Sequence, residues 1–186
     1  MPAPAPSRPR APSRPTVAIP PELLIHLRRS LRKEVGPLAA THVLQDAGFA
    51  TGEAIYREFT TEAGVDPTDL TEDRFWSALA EYFRARGWGR LEADRVHSGL
   101  GRIHAFDWAE SRGDGQDQQP GCHFSSGLFA YILSQAAGAA IAVLEVRCRS
   151  QGDDRCTFLY GSEAAVHEMY GLLLEGTSLE NALVQL

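Results

Sequence analysis

"LEVRCRSQGDDRCTF", residues 144–158, decides the fold of this chain. It reads as a short strand, a polar turn around Gly152 and Asp153 and a second strand, with one cysteine on each arm. Pairing centred on Gly152 sets Cys148 directly opposite Cys156, side chains on the same face and β-carbons about 4.5–5.5 Å apart. Thiolates so placed can share a metal at Zn–S distances of about 2.3 Å. They can equally form a disulfide or stay buried as small apolar side chains, and the spacing leaves all three open.

Working outward, the third cysteine lies upstream. Cys122 follows a polar, Gly-rich loop, "RGDGQDQQPG" (112–121), and opens "CHFSSGLFAYILSQAAG" (122–138), a helix closed by Gly138 as a natural C-cap. A helix N-terminus lowers a thiol's pKa and favours the thiolate that metals bind. A third soft ligand suggests zinc, although no C-x-x-C knuckle is present. Downstream, "SEAAVHEMYGLLLEG" (162–176) reads as a helix capped by Ser162, and "SLENALVQL" as a short helical end.

Further upstream the hydrophobic period is again two. "WGRLEADRVHSG" (88–99) and "GRIHAFDWAES" (101–111) form a second hairpin, predicted to place His104, Phe106 and Trp108 on one face. Three helices precede it. "PPELLIHLRRSLRKEVG" has acid at its start, bases at its end and a stripe of Leu23, Leu24, Leu27 and Leu31. The second spans residues 37–63, with a ridge of Leu44, Ala47, Gly48, Thr51, Gly52 and Ile55 that implies close approach of another backbone. In "DLTEDRFWSALAEYFRARGWG", Thr71 is the N-cap and Phe75, Leu79, Tyr82 and Phe83 face the core. The order is ααα-ββ-α-ββ-α: an α+β fold with one antiparallel four-stranded sheet, made of two hairpins and packed with helices.

Eight of the eleven prolines fall in residues 1–21, which read as a disordered or polyproline tail, a linker or a docking peptide; residues 22–186 form a single domain. The whole chain carries a net charge of −6, and Arg8, Arg10 and Arg14 in the acid-free tail leave −9 on residues 22–186. Such a body is a poor general binder of nucleic acid or anionic membrane. No apolar run approaches the roughly 18 residues of a bilayer span, and the proline-broken start does not read as a signal peptide. A cytoplasmic location is expected, where thiols stay reduced.

At these residues the chain resembles a family. "CHFSSGLFAYILSQAAG" and "VLEVRCRSQGDDRCTF", with the more diffuse "LQDAGFATGEAIYREF", are similar to the 4-vinyl-reductase-type domain, also the sensor module of phenol- and aromatic-hydrocarbon-responsive bacterial transcriptional activators. The likeness spans roughly residues 22–175. It implies a fold shared with small subunits of the vesicle-trafficking tether and a homodimer. It also implies a zinc ion bound by Cys122, Glu145, Cys148 and Cys156. In a regular strand Glu145 and Cys148 point to opposite faces, so one ion can hold both only across a bulge or strand end near Val146 and Arg147. His123, beside Cys122, is the substitute for Glu145. Three thiolates and a carboxylate make a closed, structural site.

The family name raises reduction of a vinyl group on a chlorophyll precursor. No G-x-G-x-x-G between a strand and a helix and no iron-sulfur or haem cysteine pattern supplies an electron source, so the chain reads as non-catalytic. The sensor members imply an apolar cavity for an aromatic, hydrocarbon or tetrapyrrole ligand. Phe75, Trp76, Phe106, Trp108, Phe124 and Phe129 can line one, with His97, His104 or a Trp indole as polar contacts. Aromatics at such spacings equally build a plain core. The trafficking subunits include members acylated on an early-helix cysteine; residues 1–121 hold none, which argues against that modification here. The alternative reading is a scaffold or assembly factor linked to 4-vinyl reduction in (bacterio)chlorophyll synthesis.

Overall fold

The computed structural model describes residues 17–64, 66–112, 115 and 117–186. Three helices come first: α1 (Glu22–Val35), α2 (Pro37–Ala63) and α3 (Glu72–Ala85). Then follow β1 (Arg90–His97), β2 (Leu100–Phe106), α4 (His123–Ala137), β3 (Ala142–Arg147), β4 (Cys156–Gly161), α5 (Glu163–Leu174) and α6 (Leu179–Gln185). The predicted α+β order is borne out. The four strands are antiparallel in the order β1-β2-β4-β3, so the hairpins join through β2 and β4 and leave β1 and β3 as edges.

Strand alternation divides the side chains between two faces. Leu91, Ile103, Ala105, Cys156 and Phe158 pack against Phe59, Leu79, Phe83, Phe129 and Ile132 from α2, α3 and α4. On the other face Leu100 and Leu159 meet Val166, Met169 and Ala182 from α5 and α6. The glycine ridge of α2 has the predicted cause. A β-carbon on Gly48 would lie 2.0 Å from the Phe124 carbonyl oxygen, and one on Gly127 of α4 would lie 1.9 Å from the Gln45 carbonyl oxygen. The two helices therefore cross backbone to backbone, which only glycine permits.

Three details differ from the sequence reading. In α1, Leu23 and Leu27 are 48% and 46% exposed, whereas the inward face runs through Leu24, Ile25, Arg28 and Leu31. A buried arginine displaces the leucine stripe. Trp108 does not share a face with His104 and Phe106: Asp107 takes a left-handed φ of 51°, ends the alternation and turns Trp108 into the core. The turn between β3 and β4 is a short 3-10 segment, Arg149–Gln151, with Gly152 at φ 100° and the Cys148 N–H donating to the Asp153 carboxylate. Most of the predicted tail, residues 1–16, lies outside the described residues; Val17–Pro20 are exposed and without regular structure. No helix among the described residues is long and apolar enough to cross a membrane.

Candidate metal centre

Cys122, Glu145, Cys148 and Cys156 converge from the start of α4, the middle of β3, the end of β3 and the start of β4. One ligand atom from each lies within 4.8 Å of the others. The register explains how β3 supplies two of them. Glu145 pairs with Phe158, but Arg147 pairs with Thr157, one residue out of step. This is the bulge that the sequence required. Beyond it, Cys148 comes level with Cys156 and returns to the face that Glu145 occupies.

The sulfur geometry discriminates among the three options left by the spacing. The Sγ separations are 3.8 Å for Cys122 and Cys148, 3.6 Å for Cys122 and Cys156, and 3.8 Å for Cys148 and Cys156. A disulfide needs about 2.05 Å. A tetrahedral zinc with Zn–S bonds of about 2.3 Å needs sulfurs about 3.8 Å apart along each edge. All three cysteines are free and wholly buried.

The carboxylate completes the fit. Glu145 Oε2 accepts the Cys122 N–H at 2.7 Å, while Oε1 is buried with no hydrogen-bond partner. An orphaned anionic oxygen beside three sulfurs is the expected donor to a cation. Cys148 Sγ also accepts the Gly121 N–H at 3.4 Å and sits 3.2 Å from Ser150 Oγ, outer contacts of the kind that orient a thiolate ligand. His123 stands apart from the cluster, with Nε2 3.3 Å from Thr41 Oγ1.

The electrostatics agree. Without a cation, burial drives the Cys122 thiol and the Glu145 carboxyl well above their usual ranges. Hydrogen bonds from the Cys122 and Cys156 thiols hold Cys148 low instead. Four buried acids this close cannot all ionise alone, and a dication supplies the missing charge. Below the cluster, Glu110 caps α4 by accepting the Phe124 and Ser125 N–H groups at 2.9 and 2.8 Å. Burial raises its carboxyl to about 7. Burial also lowers His123 to about 4, which keeps that ring neutral.

The predicted ligand-contacting residues separate into three places. Trp108, Phe124 and Phe129 lie in packed interior. Phe129 contacts Phe83, Trp108 and Phe158 at ring distances of 5.8, 5.5 and 5.3 Å, Phe124 stacks on Trp88, and Trp108 Nε1 donates to Ser125 Oγ at 2.8 Å. His104 and Phe106 sit half-buried on the opposite sheet face, His104 against Thr157 and Phe106 under Arg90. Only Phe75 and Trp76 reach an open space, a cleft of about 260 Å³ between α3 and the end of α4 that Leu133, Ala136, Ile141 and Tyr160 also line. Tyr160 was not foreseen; its signal was the small partner Gly101, whose missing β-carbon leaves room for the Tyr160 ring. A wider groove of about 700 Å³ runs along β3 between α2 and α5, past Leu38, Glu145, Tyr170 and Leu174.

A four-stranded α+β domain with three cysteines and a glutamate at one point is the class defined by this geometry. Residues 103–162, which contain all four, match the model of the vinyl-4-reductase domain, so the family resemblance is borne out. No curated protein matches the chain in sequence. Among solved structures, the phenol-responsive sensory domain of the transcription activator PoxR with phenol superposes with a TM-score of 0.63 at 19% identity, over 80% of this chain and 77% of that one. A trafficking protein particle complex subunit 3 from Naegleria fowleri, covalently bound to palmitic acid, gives 0.58 at 15% identity, over 76% and 93%. Both share the fold. A vinyl-4-reductase family protein from Methanocaldococcus jannaschii gives 0.45 at 19% identity, over 75% and 92%, too low to add to that comparison.

Proposed function

We propose that residues 22–186 form one zinc-stapled domain that binds a small aromatic, hydrocarbon or tetrapyrrole molecule and acts as a sensor without catalysis of its own. The zinc ligands are Cys122, Glu145, Cys148 and Cys156, and the ion pins α4 to the β3–β4 hairpin. The binding reading is carried by the cleft of about 260 Å³, apolar and aromatic at Phe75, Trp76 and Tyr160, with Glu72 and Thr68 as polar groups at its rim. This matches the usual make-up of a small-molecule site, though at the small end of the size range. The phenol-bound PoxR domain, which shares the fold, supports the ligand class. The domain works in the cytoplasm, contacts no nucleic acid directly and forms a homodimer across the groove beside β3, where Leu38, Tyr170 and Leu174 are 71%, 45% and 68% exposed.

The test is a thermal-shift series on purified protein with phenols, longer hydrocarbons and tetrapyrroles, beside elemental analysis. Ligands that bind the native state raise the midpoint, by about 2.7 kcal/mol of stability at one hundred times Kd. No shift with any class overturns the sensor reading. One observation favours the second reading, a scaffold or assembly factor linked to 4-vinyl reduction: Trp108, Phe124 and Phe129 fill the interior against other rings. A scaffold would ignore every compound.

A further inference from the structure

The centre has a neighbour that neither the cysteine pattern nor the family match includes. Arg28 projects from α1 and is 2% exposed, one of the least accessible charges in the chain. One nitrogen, Nη2, is paired, with Asp117 Oδ2 at 2.5 Å. Nε and Nη1 are buried without any acceptor. The guanidinium fills the space where Gly121 lacks a side chain: a β-carbon there would lie 1.5 Å from Nη1 and 2.9 Å from Ser150 Oγ. Gly121 N–H and Ser150 Oγ are the two groups that contact Cys148 Sγ, at 3.4 and 3.2 Å. The Asp117 N–H donates to the Ser150 carbonyl at 2.8 Å, so the salt-bridge partner is tied to the same loop.

We propose that Arg28, lodged behind Gly121 and Ser150, is the buried counter-charge of the metal centre and governs how tightly the ion is held. The proposal rests on reading the cluster as that centre. Three thiolates and a carboxylate bring four negative charges, and a divalent ion leaves a net −2 in an interior that penalises unbalanced charge. A guanidinium cannot shed its proton there and so supplies a permanent positive charge. Two donors without partners are costly unless a field of opposite sign rewards them. Asp117 is 17% exposed and anchors one edge of the fork; the buried edge faces the cysteine loop. Arg28 also ties α1 to the centre, and no other residue of α1 belongs to the cluster or its contacts.

The test loads the full chain with zinc and titrates it with a chromophoric chelator, reading the chelator concentration that removes half the metal while circular dichroism follows the fold. Outer contacts of this kind commonly change metal affinity by about 10- to 100-fold. Arg28→Met is expected to give up zinc at a chelator concentration at least about 10-fold lower, and Arg28→Lys to stay within about three-fold of the unaltered chain. Asp117→Asn, which removes a competing negative charge, is expected to hold zinc as well or better. Equal retention in Arg28→Met and the unaltered chain overturns the proposal. So does an Asp117→Asn loss as large as that of Arg28→Met, because the pair would then only clamp the loop. If Arg28→Met does not fold, the Lys and Asn variants decide by the same criterion. An unaltered chain that binds no zinc removes the centre itself, and this inference with it.

Discussion

At the scale of single residues, the cysteines carry the strongest expectation. Cys148→Ser replaces one corner of the sulfur tetrahedron with a hard, weakly acidic hydroxyl. It should abolish zinc binding and cost about 3 kcal/mol or more, a fall in Tm of roughly 10 °C. Glu145→Gln keeps an oxygen and should lose only part of the metal; elemental analysis and melting curves check both. Much of this was legible beforehand. The eight-residue interval between Cys148 and Cys156 fixes their pairing, and the three-residue interval from Glu145 demands the irregularity found in β3. Arg28 was not legible, because a charged side chain in an amphipathic helix is read as solvent-facing and nothing local announces its burial. Trp108 was misplaced because one left-handed residue, Asp107, is invisible to a period-two pattern.

Two titrating residues near α4 oppose one another. The His123 pKa is pushed down from 6.5 to about 4 by burial, so its contribution to stability is present above about 6.5 and lost as pH falls toward 4. For Glu110 burial raises the pKa from 4.5 to about 7, so the fold favours its protonated form, and the associated stability is greatest below 4.5 and lost as pH rises through 7. Between these limits the slopes offset. His123→Asn removes one of them: its urea midpoint, measured with zinc saturating, should fall as pH rises from about 5 to 7 by an amount equivalent to about 1 kcal/mol or more. A flat or rising midpoint would contradict the assignment.

At the scale of elements, the α2 and α4 crossing depends on glycines that meet backbone rather than side chain. A methyl on Gly127 would stand 1.9 Å from a carbonyl oxygen held within a helix, where no rotamer change can relieve it. Gly127→Ala should therefore cost about 2 kcal/mol or more by forcing the helices apart, while Gly171→Ala, whose β-carbon meets nothing within 4 Å, should stabilise or leave α5 unchanged. Denaturant midpoints compare the two directly. Element types and order were readable because the change of period near residue 87 is sharp and each helix ends on a recognisable signal. Which face of α1 turns inward was not, since tertiary packing decides it.

At the scale of the whole molecule, the open cleft and the packed interior make different demands. If the cleft receives a ligand, Trp76→Ala should weaken binding of a phenol-sized compound about 10-fold, with the melting point of the free protein changed by only a few degrees, since Trp76 is half-buried. Calorimetric titration beside the melting curve separates those effects. Self-association across the β3 groove is checked by sedimentation, with Leu38→Lys expected to shift a dimer to monomer.

The extra residue in β3 has a mechanical corollary. Val146 and Arg147, neighbours in sequence, both lean away from the sulfurs: Val146 joins the apolar layer under α5, and Arg147 grips Glu180 of α6 at 2.7 Å. Smoothing the strand back to regular pairing would send one of them toward the thiols and withdraw Cys148. Loading or stripping the ion thus tugs on the far side of the sheet, and the C-terminal helix becomes a dial on which the state of a buried atom is displayed.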